Sequence, residues 1–492
     1  MNVLLIEPPF YSLQEIKSGK ASLGLAMLAG AIKEKGWEVS IYSPDLEFDN
    51  QAKSSEGVTT HIDHGYFAYI KERLKFLLLK NKPDVVGISA WTARYNAGLR
   101  IARVIREICG TEIKIVMGGI HATMFPEETL GNMDIDYIIV GEGEGAFIEL
   151  LEHLKWRSLT FSNGIRNLYY RDKNGAIRNT GSAFIENLDS LPMPAYDKYL
   201  NYQKIDPNIF GSILSARGCP FLCTYCASNI IWSRKVRFHS PKYIFGLLEY
   251  IYQNFGTRIF RFNDDTFNLN RNRLFQICRL LKDADLPIEW EADIRGDLAD
   301  YETLNVMRDA GCVQVNIGVE TADEIILKQV RKNLDLNKVK RAFKICKEIN
   351  IKTTGYFMIG FPGETEIQVN KTLSLIKELN PDNPIISIFI PYPGTEAYEM
   401  AVRDGIMDHA SMDWDHFFHH SEKANYSGSI SDERWKKLIS KAEQLRKRIR
   451  LKNRLKNKIS QTNLLDRYST KGFSCFLNDI KSFSILIRQF RK

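Results

Sequence analysis

This chain of 492 residues has almost no charge imbalance outside one short segment. Its formal net charge is +8, yet residues 441–458, KAEQLRKRIRLKNRLKNK, carry nine basic side chains and one acid. The remaining residues therefore sum to zero, and the basic balance describes one predicted helix only. No recognised DNA or RNA module accompanies that helix, which argues against a nucleic-acid partner. The opening MNVLLIEPPF lacks a basic start, and its apolar run stops at two prolines. Neither a secretory leader nor a membrane-crossing helix is read there, and a cytoplasmic protein is expected. Cysteine is scarce: there are eight, of which Cys109, Cys278, Cys312, Cys346 and Cys475 are scattered. No disulfide framework looks like that, and a reducing compartment fits.

The chain is long enough for two or three domains. From residue 3, short apolar runs alternate with helical patterns: NVLLIEP, EVSIYS, DVVGISA, KIVMGG and DYIIVGEGE read as buried strands. Five such strands with helices between them predict a doubly wound, Rossmann-like α/β domain over residues 1–158, which binds ligands at its C-terminal strand ends. Residues 159–205 break the rhythm. NLYYRDKNGAIRNTG reads as a hairpin with an Asn-Gly turn, and ENLDSLPMPAYDKY as a proline-marked linker. A second alternation, SILSAR, TRIFRFNDD, IEWEADIR, CVQVNIGVE, KTTGYFMIGFPGE and IISIFIPYPGT, predicts a partial (β/α)6 barrel over residues 206–400 with its chemistry at the C-terminal mouth. Residues 401–492 read as a helical, basic region.

The segment SARGCPFLCTYCASN places Cys219, Cys223 and Cys226 in a C-x3-C-x2-C run. Zinc usually takes four protein ligands, and a fourth is not nearby. Bacterial ferredoxin runs use shorter gaps and a fourth cysteine followed by proline. Three thiolates on a four-iron cluster leave one iron open, as a substrate-binding metal requires; a structural zinc or a chance cluster is the competing reading. The run, with the aromatic Tyr225 before its last cysteine, resembles the signature of the radical S-adenosylmethionine (SAM) enzymes.

That resemblance implies a 4Fe-4S cluster whose open iron is chelated by SAM, and reductive cleavage to a 5′-deoxyadenosyl radical. It implies SAM contacts from Tyr225 and from Asn263, Asp264 and Asp265 in FNDDTF, where many relatives have a glycine-rich stretch. It also implies contacts from Arg295 after the third strand, from Glu320 after the fourth, and from Gly360 and Gly363 in MIGFPGET. Each has a plainer alternative: an N-cap pair, a surface salt bridge or a turn.

The first domain resembles the cobalamin-binding domain fused ahead of many radical SAM cores. The resemblance implies a corrinoid held by Ser89, Thr92, the pair Gly118 and Gly119, His121, and Gly141 with Gly143. The loop EPPFYSLQEIKSGKASLG contains no histidine, so the lower axial ligand found in methionine-synthase-like domains is not expected. His121, after a glycine turn, reads more readily as a hydrogen bonder beside the site. Leu445, Ile449, Leu455 and Ile459 fall near one face of the basic helix, and the chain ends FSILIRQFRK. That pattern suits either an anionic membrane surface or a solvated helix packed on the barrel.

The resemblance thus leads to a cobalamin-dependent enzyme that methylates an unactivated carbon of a small-molecule or lipid-like substrate, served by a reducing donor such as flavodoxin or ferredoxin. Oxidative cyclisation or rearrangement, as in the anaerobic porphyrin cyclases it also resembles, is the second reading. A non-catalytic iron–sulfur sensor is the third.

Overall fold

The computed structural model describes residues 1–10, 20–47, 64–156, 165–409, 412, 414 and 425–461. Five strands alternate with helices in the first part of the chain: β1 (Asn2–Ile6), β2 (Glu38–Tyr42), β3 (Val85–Ser89), β4 (Lys114–Gly118) and β5 (Tyr137–Ile139). They pair in parallel in the order β2-β1-β3-β4-β5. Their interiors, such as Val3–Ile6 and Val85–Ile88, are apolar and buried, because helices cover both faces of a parallel sheet. The first covering helix, Leu23–Glu34, is capped by Ser22, whose hydroxyl accepts from Leu25 N–H.

The expected hairpin forms as β6 (Leu168–Arg171) and β7 (Ile177–Asn179), turning at Gly175 in the left-handed region. It does not stand apart in a linker: β6 pairs antiparallel with β5, so the first sheet runs to Asn179. The proline-marked stretch after it is also packed. The Met193 carbonyl lies so close to Gly30 that a β-carbon there would sit 2.3 Å from its oxygen. Leu188, Ala195, Tyr196 and Tyr199 are buried against the core.

The second sheet begins with β8 (Ser212–Ile213), and a small antiparallel ribbon follows from β9 (Ala216–Arg217) and β10 (Arg237–Phe238). β11 (Ile259–Phe262), β12 (Glu289–Ile294), β13 (Cys312–Glu320), β14 (Lys352–Ile359) and β15 (Asn383–Ile388) complete it. The order is β15-β14-β13-β12-β11-β8, all parallel, with β8 and β15 as its two edges. Period-2 alternation directs Phe260, Phe262, Trp290 and Ala292 to the helices and Arg261, Glu291 and Asp293 to the concave face.

The basic helix is Asp432–Gln461, and it packs on β15 and on the helix Glu366–Leu379. Trp435, Leu438, Ala442, Leu445 and Ile449 are buried there, and Asn453 donates to the Pro381 carbonyl at 2.8 Å. Of the two readings of the apolar face, packing on the barrel is the one seen at Leu445 and Ile449, which are covered by protein at its edge. The side chains of Leu455 and Ile459, and the terminal FSILIRQFRK, lie outside the described residues. Among the described residues, no helix is long and apolar enough to cross a membrane.

Candidate functional site

The cysteine loop leaves β9 through Gly218, whose φ of 100° suits glycine alone. A β-carbon there would lie 2.7 Å from the Lys235 carbonyl oxygen on the returning chain. Cys219, Cys223 and Cys226 are all half-buried and free. Cys226 N–H donates to the Cys223 carbonyl at 3.2 Å, and Thr224 N–H to that of Val330 at 3.1 Å. Asp265, at the end of β11, accepts from Ser228 Oγ at 2.6 Å and anchors the far side of the loop.

Burial, then Asp265 and the two other thiols, push Cys226 up to about 12; burial likewise raises Cys219, with Asp265 and Cys223 adding to it. Three thiolates on bare protein are unfavourable, whereas a bound cationic iron–sulfur core would stabilise them. A soft, all-sulfur, three-ligand set fits an iron–sulfur cluster with one open iron.

The residues expected around SAM divide. Tyr225 packs edge-on to Phe361 at 6.1 Å between centroids. Glu320 ends β13 at a register shift, in the left-handed region with φ 67°, and accepts from Lys332 Nζ at 2.9 Å. Gly360 and Gly363 follow β14, the first against the Trp435 ring and the second donating to the Ser427 carbonyl at 2.8 Å.

One of these expectations is corrected. Asp264 is 1% exposed and both its oxygens accept from Ser215, because it shares the helix-facing side of β11 with Phe260 and Phe262. Arg295 forks onto Asp297 at 2.9 Å and the carbonyls of Lys332 and Asn333, with Phe221 of the cysteine loop 3.8 Å beneath it. These contacts tie Arg295 to the cysteine loop and to the Lys332–Asn333 turn. Asn263 donates to Ser212 Oγ at 2.6 Å across the edge of the barrel.

The concave face holds a polar group that motif reading missed. Arg261 donates to Asp293 at 3.2 Å and to Tyr356 Oη at 3.1 Å; Asn316 donates to Asp293 at 2.8 Å and Gln314 to Glu291 at 2.5 Å.

In the first domain a cavity of about 350 Å³ opens at the C-terminal strand ends. Ser89, Gly118, Gly119, Gly141 and Gly143 line it, with Leu5, Val116, Ile139 and Phe147 as an apolar floor. Gly119 has φ 93°, and a β-carbon on it would lie 2.6 Å from the Ala90 carbonyl oxygen. Thr123 Oγ1 donates to the Gly119 carbonyl and accepts from Gly141 N–H, both at 2.9 Å, tying the two glycine turns together. A cradle of bare backbone over an apolar floor fits the tail of a bulky corrinoid.

Thr92 is buried in its own short turn and does not reach the cavity. His121 is also corrected. Its ring is fully buried, 3.8 Å from that of Tyr95 and 5.1 Å from that of Trp414, and neither nitrogen has a hydrogen-bond partner among the described residues. Burial lowers its pKa to about 3, so it is a neutral member of an aromatic cluster. The outer wall of the cavity comes from the barrel, through Leu214, Arg217, Ile231 and Trp232.

Comparison with known proteins agrees with both halves of this geometry. The profile of the radical SAM superfamily matches residues 213–376, and that of the B12 binding domain residues 15–151. An uncharacterized methyltransferase of Pyrococcus horikoshii is 32% identical over 423 residues, 84% of this chain and 85% of that one. The anaerobic magnesium-protoporphyrin IX monomethyl ester cyclase of Rubrivivax gelatinosus is 27% identical, over 81% and 70%. The radical S-adenosylmethionine methyltransferase TsrM of Kitasatospora setae, solved with cobalamin and a 4Fe-4S cluster, shares the fold. Its TM-score is 0.65 at 19% identity, over 82% of this chain and 75% of that one.

Proposed function

This chain belongs to the cobalamin-dependent radical SAM enzymes, and from that premise we propose that it methylates a carbon of a small molecule carrying polar groups. One observation carries the reading: the cavity cradled by the glycine turns has its outer wall in the barrel, at Leu214, Ile231 and Trp232, beside the root of the cysteine loop. A corrinoid there adjoins the domain that holds the cluster, as methyl delivery to a carbon activated at the barrel mouth requires. When bound, the cluster, SAM and cobalamin together supply a hydrogen-abstracting radical and a transferable methyl group.

The protein's own share is binding and exclusion. Cys219, Cys223 and Cys226 hold the cluster. Glu320, held by Lys332, presents a fixed carboxylate at the mouth. Arg261, Asp293, Tyr356 and Asn316 make the concave face polar and hydrogen-bonded, which suits a substrate with polar groups better than an acyl chain.

The test is anaerobic. The protein is reconstituted with iron, sulfide and hydroxocobalamin, given SAM and a strong reductant, and assayed by mass spectrometry for 5′-deoxyadenosine and S-adenosylhomocysteine. Both products are expected from a methyltransferase. The cyclase relative makes oxidative chemistry the second reading, and 5′-deoxyadenosine without S-adenosylhomocysteine would move the assignment there. Neither product, with a full cluster present, would move the assignment to a non-catalytic iron–sulfur protein or to an enzyme that cleaves SAM only with its substrate bound.

A further inference from the structure

The three cysteines lie in residues 218–236, the segment joining β9 to β10. Arg217 precedes it and Arg237 closes it, and the ribbon sets these two arginines directly opposite one another. Paired guanidinium groups in a buried place repel unless an anion lies between them. The anion here is Glu142 of the first domain. Its Oε1 accepts from Arg217 Nη1 at 2.9 Å and its Oε2 from Arg237 Nη1 at 2.8 Å, and its side chain is 0% exposed. Ile185 N–H also donates to Oε2, at 2.5 Å. Glu144 takes the second arm of Arg217 at 2.6 Å. The Arg217 guanidinium lies over the Trp232 ring at 5.1 Å, and that of Arg237 over Phe184 at 4.9 Å. Burial by itself raises the Glu142 carboxyl, but Arg237, the Ile185 amide and Arg217 together hold it below the usual carboxylate range.

The location of Glu142 gives this network its meaning. It stands between Gly141 and Gly143, and Glu142, Glu144, Arg217 and Trp232 all line the corrinoid cavity. One carboxylate thus belongs to the rim of that cavity and grips both roots of the cysteine loop. An arginine forked between two carboxylates has its orientation fixed more closely than a point charge would.

We propose that Arg217 and Glu142 are positioning residues that hold cobalamin and the iron–sulfur cluster at a fixed separation, by locking the cavity rim to both ends of the cluster loop. The inference rests on the cofactor set of the proposed function and not on its substrate or reaction.

The test needs no turnover. Protein loaded with both cofactors is poised so that cob(II)alamin coexists with either the oxidised or the reduced cluster, and the power that half-saturates the cob(II)alamin paramagnetic-resonance signal is measured in each state. A reduced, paramagnetic cluster held nearby speeds relaxation, so the ratio of the two powers reports the separation. In Arg217→Met the ratio is expected to fall to half the wild-type value or less. Arg217→Lys, which keeps the charge without the fork, should fall with it.

A wild-type ratio in Arg217→Met, with both cofactors at wild-type stoichiometry, would overturn the proposal and leave a purely stabilising role, visible as a lowered thermal midpoint alone. No enhancement in the wild type would overturn it as well. Should Arg217→Met fail to fold or to hold both cofactors, Glu144→Gln decides by the same reading: a lowered ratio supports the proposal and an unchanged one overturns it. SAM-derived products take no part in this readout, so its failure is separate from failure of the methyl-transfer assignment.

Discussion

Replacing Glu364 by glutamine should remove a pH dependence from the stability of this protein. Glu364 lies behind the turn after β14 and is 0% exposed. Its Oε2 accepts from Gly360 N–H at 2.6 Å and Phe361 N–H at 3.1 Å, while Oε1 has no partner among the described residues. Burial pushes the carboxyl up from 4.5 to about 7, against the two amides that pull it down. An acid whose folded pKa is raised holds its proton more tightly in the native state than in the unfolded one. Its contribution is therefore complete below pH 4.5 and is lost as pH rises through about 7. At 1.36 kcal/mol for each pH unit, that window is worth about 3 kcal/mol.

Glutamine keeps an oxygen for the two amides and has no proton to lose. Urea unfolding of both proteins at pH 5, 6, 7 and 8 would be followed by tryptophan emission, to which Trp435, packed on Gly360, contributes. The stability of the variant relative to wild type should rise by about 2.5 kcal/mol from pH 5 to pH 8, since part of the window is already spent below pH 5. Other buried acids such as Asp264, which burial raises to about 6, are common to both proteins and cancel in the difference. Parallel curves across this range would refute the claim that the carboxyl is desolvated.

Cys223→Ala should lose most of the iron and all 5′-deoxyadenosine formation, measured by iron assay and mass spectrometry on the same preparation; full iron with activity would dismiss the cluster assignment. Gly119→Ala should reduce bound cobalamin, read from visible absorbance after desalting, while iron content stays unchanged. Its new methyl meets the Ala90 backbone at φ 93° and ψ −175°, a conformation that is essentially glycine's alone and costs about 1–3 kcal/mol for other residues. Gly141→Ala, at φ 63° with nothing within 4 Å, should perturb the fold less, and the opposite ranking in thermal stability would count against the cradle.

The strands of both sheets were legible because each is a short apolar or alternating run, and the cysteine spacing named the cluster directly. Asp264 shows where motif reading stops. FNDDTF offers three polar residues in a row, but alternation continues past Phe260 and Phe262 and turns Asp264 inward, while Asn263 and Asp265 share the face of Arg261. The same alternation would have found the concave polar group of Glu291, Asp293, Gln314 and Tyr356. Glu142 and Arg237 are a different case. They stand 95 positions apart and in different domains, so no local period links them, and only the folded chain shows that one answers the other. His121 was misplaced because a histidine after paired glycines gives no sign of which side of its helix turns to the cavity.

The shared grip on Arg217 and Arg237 also bears on when the cofactor enters. Bringing the ends of a loop together costs entropy that grows slowly with its length, and here strand pairing and one carboxylate meet that cost as the chain folds. Iron and sulfide then reach a cysteine loop whose two ends are already fixed on the folded scaffold. Maturation becomes a late insertion into a folded protein, the reverse of small zinc domains that stay unfolded until their metal arrives.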